Sequence, residues 1–253
     1  MEGVLGGTLR HLDYLLRFAD PEEWEIHLAV SSRRAPHVQE DFRRWSSLGW
    51  QMHEIPMCRE ICPARDLRAF KEFLSLCRAE CFDLVHTHCA KAGFLGRLAA
   101  RAAGAKTVHT AHVFPFTHVG GELARQTYEC LERIAARWTN RFVVLSDYQH
   151  NVLLDAGLCD SNRAELIPNG IIPAEFHGPS RKEARRQLEL PLDVPIALFV
   201  GRFRPQKGVD VLIRAARRLQ PAPDRARIVI LGEGPLQDLI DRQIMDEELN
   251  ELV

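Results

Sequence analysis

The sequence lacks any long apolar segment. None of its apolar runs approaches the ~18 residues that a membrane-spanning helix needs, and the N-terminus does not show the basic-then-apolar profile of a secretory signal. We therefore expect the chain to remain in the cytosol.

The sequence also lacks a net charge of either sign. Its 33 Lys and Arg residues face 34 Asp and Glu residues, and the formal net charge is -1. Broad binding to nucleic acid requires a basic surface that displaces counterions from phosphates. We therefore expect no nucleic-acid partner, and any phosphate site must be local.

Cysteine is present at 7 positions, and two spacings could be mistaken for a disulfide framework. Cys58 with Cys62 and Cys77 with Cys81 form a twin CX3C pattern, as in stapled helical hairpins. Pro63 is expected to break the first helix of such a hairpin. An odd number of cysteines without a secretory signal favours free thiols in a reducing compartment.

Short runs rich in Val and Ile alternate with longer segments of helical period along the 253 residues. This alternation predicts an α/β fold in which helices cover parallel sheets. The predicted strands are 25–30, 51–55, 83–86, 106–110, 142–146, 165–168, 195–200 and 226–231. The predicted helices are 8–18, 39–45, 66–80, 90–103, 122–138, 147–156, 182–188, 209–219 and 235–250.

A domain boundary is predicted near residue 175. Asn169 and Gly170 form a turn signal, and the Pro-containing stretch 171–194 has the character of a linker with a short helix inside it. We expect an N-terminal Rossmann-like domain over residues 1–175 and a second Rossmann-like domain over 176–253.

By the rules of α/β folds, we expect both predicted domains to be incomplete. The glycine turn from Gly3 to Gly7 leads into the first helix, whereas such a turn normally follows a central strand. Only two strands follow residue 194, too few for a sheet with two covered faces. We expect a chain without its first strand and without the back half of its second domain. The alternative is a complete small protein whose strand edges are covered by a partner.

Two glycine-containing loops of the second domain are candidates for ligand binding. A buried strand ends at Gly201, Arg202 follows directly, and Lys207 with Gly208 lies where a helix begins. Cations beside the free amides of a helix N-terminus predict a site for a diphosphate. The turn from Gly232 to Gly234 is explained equally well by a tight loop and by close approach to a ligand.

Four histidines lie at strand ends of the first domain: His86, His88, His109 and His112. Residues two apart in a strand face the same side, and His112 is predicted just beyond its strand. No HExxH motif or supporting carboxylate accompanies these histidines, so no metal site is expected. A single polar contact or a general-acid role suits His112 better.

Several segments, in their order along the chain, resemble the retaining glycosyltransferases of family 4. They are GGTLRHL, DLVHTHCAKAGFLGRLAA, VHTAHVFPF, FVVLSDYQ, LIPNGI, FVGRFRPQKGVDVLIRAARRL and VILGEGP. The resemblance implies the GT-B architecture of two Rossmann-like domains. It also implies transfer of a sugar, with retention, from a nucleotide diphosphate-sugar donor to a glycan, lipid-linked or small-molecule acceptor, without a metal or other cofactor.

The resemblance also assigns residues. His112 matches the histidine near the transferred sugar and is the catalytic candidate, while Arg202 and Lys207 match the residues that hold the donor diphosphate. The full set assigned to donor binding is Gly6, Gly7, Ser146, Asn169, Gly201, Arg202, Lys207, Gly232 and Gly234.

Two departures from the family pattern shape the expected activity. Ile171 follows the Asn-Gly motif where an acidic residue is usual, and the late acidic motif that binds the donor would lie beyond Val253. We expect the chain as given to bind donor poorly and to be weakly active or inactive. Two alternatives stay open: a sugar-nucleotide epimerase of the same fold, and a non-catalytic module that binds nucleotide-sugars.

A basic and aromatic group near the second helix could rest on an anionic inner-membrane surface as a peripheral contact. Its residues are Arg33, Arg34, Phe42, Arg43, Arg44 and Trp45. A solvated helix with one packed tryptophan is the simpler interpretation.

Overall fold

The computed structural model describes residues 7–31, 38–58, 61–218, 226–246 and 249. Parallel strands alternate with helices throughout these residues, which confirms the predicted α/β class. The chain divides into two compact units, Met1–Ile171 and Ile172–Val253.

The first unit contains two parallel sheets. Its strands are β1 (His27–Val30), β2 (Gln51–Glu54), β3 (Leu84–His88), β4 (Lys106–Ala111), β5 (Arg141–Val144) and β6 (Ala164–Leu166). Its helices are α1 (Gly7–Phe18), α2 (Val38–Ser47), α3 (Pro63–Glu80), α4 (Ala90–Ala103), α5 (Glu122–Ala136) and α6 (Asp147–Asp155). β1 pairs with β2, and β3 to β6 form a second sheet in chain order. The predicted ends of these elements differ from the observed ends by a few residues.

An apolar cavity of about 410 Å³ lies between β1 and β3. Side chains of α1, β1, α3 and β3 line it, among them Leu12, Leu28, Phe73 and Val85. Among the described residues, no strand pairs with the edge of β1 or of β3 that lies away from its partner.

The second unit is smaller, and its described helices α8 and α9 pack on one face of its sheet. Strands β7 (Ile196–Val200) and β8 (Arg227–Leu231) are parallel, and the helices are α7 (Arg181–Gln187), α8 (Val209–Ala216) and α9 (Gln237–Asp246). Val209, Ile213 and Ile240 of α8 and α9 pack with Ile228 of β8 in its core. Leu198, Val200 and Leu231 point away from that core and are more than half exposed.

Helix α4 lies unusually close to the four-stranded sheet. A Cβ atom on Gly93 would lie 2.6 Å from Cε1 of His109, and one on Gly96 would lie 2.9 Å from Cγ2 of Thr87. Only glycine allows this approach, because real Cβ contacts are longer. Thr87 and His109 are joined by a hydrogen bond of 2.9 Å between Oγ1 and Nδ1.

A buried ion pair joins α4 to α5. The guanidinium of Arg97 is fully buried, and its Nη2 donates to Oε2 of Glu132 at 2.9 Å. Nε of Arg97 donates to the carbonyl oxygen of Gly93 at 2.9 Å, and Nη1 donates to Oγ1 of Thr139. The charge is therefore paired and hydrogen-bonded, as a buried arginine requires.

Pro63 begins α3, so no helix among the described residues spans Cys58 and Cys62, and the first helix of a stapled hairpin is absent there, as the sequence argument expects. The first residue of a helix has no intrahelical partner for its amide, and the fixed φ of proline suits this position. Cys62 takes the extended N-cap position before it.

Three members of the basic and aromatic group pack α2 on α1, namely Phe42, Arg44 and Trp45. Trp45 is completely buried, and its Nε1 donates to Oδ1 of Asp13 at 2.9 Å. Arg44 donates to the same carboxylate at 2.6 Å and to Asp41 at 2.8 Å. This agrees with the packed-tryptophan interpretation; Arg33 and Arg34 lie outside the described residues. Within the described part of the chain, none of the helices has the length and apolar character needed to cross a bilayer.

Replacement of Glu132 should destabilise the chain strongly. Glu132→Leu leaves the Arg97 charge buried without a counterion, which is expected to cost roughly 3–5 kcal/mol of unfolding free energy. Urea unfolding followed by circular dichroism measures this loss. The matched control is Glu122→Leu, which breaks the exposed pair with Arg125 and should leave the midpoint unchanged. Equal losses for the two variants would contradict the structural role of the buried pair.

Candidate active site

Three histidines from separate elements meet at one edge of the four-stranded sheet. His88 ends β3, His112 directly follows β4, and His11 projects from α1. Nδ1 of His88 lies 3.1 Å from Nε2 of His112. The His11 ring centroid is 5.6 Å from that of His88 and 5.1 Å from that of His112. We call His11, His88 and His112 the histidine cluster.

The pairing register explains why two of these side chains meet. His88 of β3 is opposite Thr110 of β4, so His112, two residues further, lies on the same face. His86 shares this face and is hydrogen-bonded to Oγ1 of Thr110 at 2.7 Å. His109 lies on the opposite face, toward α4. The four histidines singled out from the sequence therefore divide between the two faces.

Gln149 holds the loop that carries His112. Its Nε2 donates to the backbone carbonyl of His112 at 2.9 Å, and its Oε1 accepts from the amide of Leu145 at 2.8 Å. The amide of Gln149 donates to Oγ of Ser146, which is the N-cap of α6. Ser146, assigned to the donor site by resemblance, thus has a helix-capping role in this structure. Sequence reasoning missed Gln149, although Ser-x-x-Gln is the spacing of a capping box.

Burial keeps the histidine cluster uncharged at neutral pH. Desolvation, followed by the neighbouring His11 and His86 rings, lowers the pKa of His112 to about 4. Desolvation also lowers the pKa of His88 well below its usual value. A neutral imidazole can donate or accept a hydrogen bond but is a weak general acid. Of the two roles considered for His112, these shifts favour the polar contact.

Asn169 also belongs to this part of the molecule. Burial lowers the pKa of His11, and the nearby Asn169 side chain opposes that shift. Asn169 lies after β6 and is exposed. Gly7 is the first residue of α1, one turn before His11, whereas Gly6 lies outside the described residues.

The two predicted cations of the second unit lie on one loop. Arg202 and Lys207 are both exposed, between the end of β7 and the start of α8. A Cβ on Gly201 would lie 4.0 Å from Cδ of Lys207, so the lysine stem passes over the backbone that precedes Arg202. Gly208 adopts φ of 65° and is the N-cap residue of α8, whose first amides have no intrahelical partner. We call residues 201–208 the cation loop.

The loop after β8 is hydrogen-bonded to the cation loop and packs against it. The amide of Phe203 donates to the carbonyl oxygen of Glu233 at 2.8 Å, and that of Gly201 donates to Leu231 at 3.0 Å. A Cβ on Gly232 would lie 1.9 Å from the Gly201 oxygen, and one on Gly234 would lie 2.6 Å from the Phe203 oxygen. Packing between the two loops therefore explains why both positions are glycine. The need for glycine at these two positions is therefore explained without any contact to a ligand.

The predicted site residues thus form two groups, one in each unit. The first unit carries His112 with Asn169, His11 and Gln149, and the second carries Arg202 and Lys207. His11 and Gln149 were not among the residues singled out from the sequence.

Both units match models of glycosyltransferase families. Residues 5–175 match the model described as Glycosyltransferase Family 4. Residues 180–253 match the model described as Glycosyl transferases group 1.

Two curated relatives are similar to the chain at 32% identity. A UDP-Gal:alpha-D-GlcNAc-diphosphoundecaprenol alpha-1,3-galactosyltransferase from Escherichia coli aligns over 188 residues, 72% of this chain and 48% of the relative. A D-inositol 3-phosphate glycosyltransferase from Stackebrandtia nassauensis aligns over 61% of this chain and 37% of the relative. The chain therefore spans less than half the length of either relative.

Among solved structures, that of Anabaena HepE in complex with UDP is similar at a TM-score of 0.75 and 18% identity. The alignment covers 99% of this chain and 65% of that chain. At this identity the similarity concerns the fold, which is the GT-B fold expected from the sequence. Because the first family model covers more than half of the residues, the chain belongs to glycosyltransferase family 4.

Proposed function

We propose that the intact protein transfers a sugar, with retention, from a nucleotide diphosphate-sugar to an acceptor hydroxyl. The observation that carries this proposal is the cation loop, which presents Arg202 and Lys207 in exposed positions beside the N-terminus of α8. Cleavage of the sugar–phosphate bond increases the negative charge on the diphosphate. Cations fixed at that position stabilise the transition state more than the bound donor.

His112 contributes a neutral hydrogen-bonding group in this proposal. Its ring is oriented by His88, and its backbone is held by Gln149. A side chain restrained on both sides can contact a sugar hydroxyl without the cost of ordering a mobile group. The family resemblance supports a contact with the transferred sugar.

Uridine diphosphate is the proposed carrier of the sugar. The E. coli relative is named for a UDP-Gal donor, and the HepE structure contains UDP. For the acceptor we propose a phosphorylated molecule, because the names of both curated relatives specify one: a diphosphoundecaprenol-linked sugar and an inositol phosphate. A lipid-linked acceptor would bring the protein to the cytoplasmic membrane surface as a peripheral protein.

Substitution of either cation should slow the transfer. In the full-length protein, Arg202→Ala and Lys207→Ala should each lower kcat/KM for UDP-sugar by about 100-fold or more, the usual effect of removing a group that stabilises transition-state charge. The assay measures UDP release with a panel of phosphorylated acceptors. Arg214→Ala is the matched control, since Arg214 is paired with Asp210 on the exposed face of α8. Unchanged rates for the first two variants would refute the assigned role of the loop.

The pH dependence tests the protonation state of His112. With a pKa of about 4, His112 stays neutral when the pH passes through 6.5, the usual pKa of histidine. The ratio of wild-type to His112→Gln activity should therefore stay constant between about pH 5.5 and 8. The ratio also cancels effects of pH on the acceptor and on other groups. An imidazolium acid of ordinary pKa would instead make this ratio fall about tenfold per pH unit above 6.5.

Two measurements separate the alternatives. Calorimetric titration of the 253-residue chain with UDP tests binding, and assays of the full-length protein with and without acceptor test chemistry. We expect UDP-sugar turnover that depends on the acceptor. UDP binding without any turnover in the full-length protein would favour the non-catalytic module, and conversion of UDP-sugar without acceptor would favour the epimerase.

A further inference from the structure

The histidine cluster has the spacing of a metal site. One ring nitrogen from each of His11, His88 and His112 lies within 4.8 Å of the other two. Tetrahedral Zn²⁺ with Zn–N bonds of about 2.0–2.1 Å places ligand nitrogens roughly 3.3 Å apart. Nδ1 of His88 and Nε2 of His112 are 3.1 Å apart, close to that separation, and coordination would replace the hydrogen bond that they share in this structure.

His11 supplies an unsatisfied third nitrogen. Its Nε2 is buried and has no hydrogen-bond partner among the described residues. A buried polar atom without a partner is uncommon and calls for a physical explanation. Coordination to an ion shared with His88 and His112 would satisfy this atom. The sequence argument against a metal did not include His11, which lies far away in the chain on α1.

The surroundings are suited to holding imidazoles as ligands. Metal ions bind the neutral form of histidine, and the pKa values of all three rings lie below their usual value, chiefly because of burial. Outside the cluster, Gln149 holds the His112 backbone at 2.9 Å. Groups of this kind, which orient a ligand residue, typically strengthen metal binding.

We propose that His11, His88 and His112 form a binding site for a divalent transition metal ion, with Zn²⁺ as the best fit. Imidazole nitrogen suits Zn²⁺ and its neighbours Co²⁺ and Ni²⁺ far better than Mg²⁺ or Ca²⁺. Three protein ligands leave the fourth position of a tetrahedral ion to water.

Occupation of this site inhibits sugar transfer, and this second step rests on the proposed function. The ion would engage Nε2 of His112, which is paired with His88 in this structure, and it would place a hydrated cation beside the ring that contacts the sugar in the proposed function. The metal is therefore an inhibitor at this position and has no part in the transfer itself.

Direct titration tests the site. The chain is stripped with a chelator and titrated with Co²⁺ and then with Zn²⁺ in competition with a chromogenic chelator. We expect one equivalent to bind, with the visible absorption of four-coordinate Co²⁺ that Zn²⁺ abolishes. His11→Ala and His112→Ala should each weaken Zn²⁺ binding by more than about tenfold. Loss of a ligand should cost at least as much as loss of a group that is hydrogen-bonded to a ligand, which typically weakens binding about tenfold or more.

The matched control uses a second histidine pair of the first unit. His27 and His53 have ring nitrogens 3.0 Å apart, and His53→Ala should bind Zn²⁺ like the wild type. Circular dichroism verifies the fold of each variant, and the cobalt spectrum of the wild-type chain requires no substitution. Absence of the four-coordinate spectrum, or equal Zn²⁺ affinity in His11→Ala, His112→Ala and wild type, would overturn the site.

The inhibitory step is tested separately on the full-length protein. Zn²⁺ should lower the rate of sugar transfer at the concentrations at which it binds, and a chelator should restore the rate. Zn²⁺ that binds the cluster without slowing transfer would overturn the inhibitory step. Failure of transfer in every condition would instead count against the proposed function.

Discussion

The fit of α4 against β3 and β4 determines the geometry of the first unit. Gly93 and Gly96 leave no room for a side chain between helix and sheet, since added Cβ atoms would fall within 3 Å of His109 and Thr87. Arg97, one turn further along the same helix, extends this contact to α5 through its buried pair with Glu132. β3 and β4 are thereby held in a fixed register, and so are His88 and His112 at their ends.

Much of this architecture could be predicted from local sequence patterns. Runs of Val and Ile and segments of helical period are encoded within each element, so the strands and helices were located to within a few residues. The position of His112 just past β4 follows from the two-residue period of a strand. Pro63 ends the possibility of a helix over Cys58 and Cys62 and begins α3, because proline is unfavourable in a helix interior and favourable at the first position.

The contacts that the patterns did not predict are between distant segments. His11 reaches the sheet edge only because α1 packs beside β1 and β3, and no local period indicates that arrangement. Gly232 and Gly234 were interpreted as donor-binding residues, but their need for glycine arises from the neighbouring loop at Gly201 and Phe203. Gln149 acts on His112 across 37 residues of sequence. The capping-box spacing from Ser146 to Gln149 is the feature of the sequence that points to Gln149, and it predicts a contact at the start of α6, not one with His112.

The separation of β1 from β3 has a consequence for the histidine cluster. α1 packs in one hydrophobic cluster with β1 and Trp45, whereas β3 and β4 belong to the other sheet, and no strand ladder among the described residues joins the two. His11 therefore comes from one of these parts of the first unit, and His88 and His112 come from the other. A metal ion bound by all three rings would be a direct cross-link between the two parts.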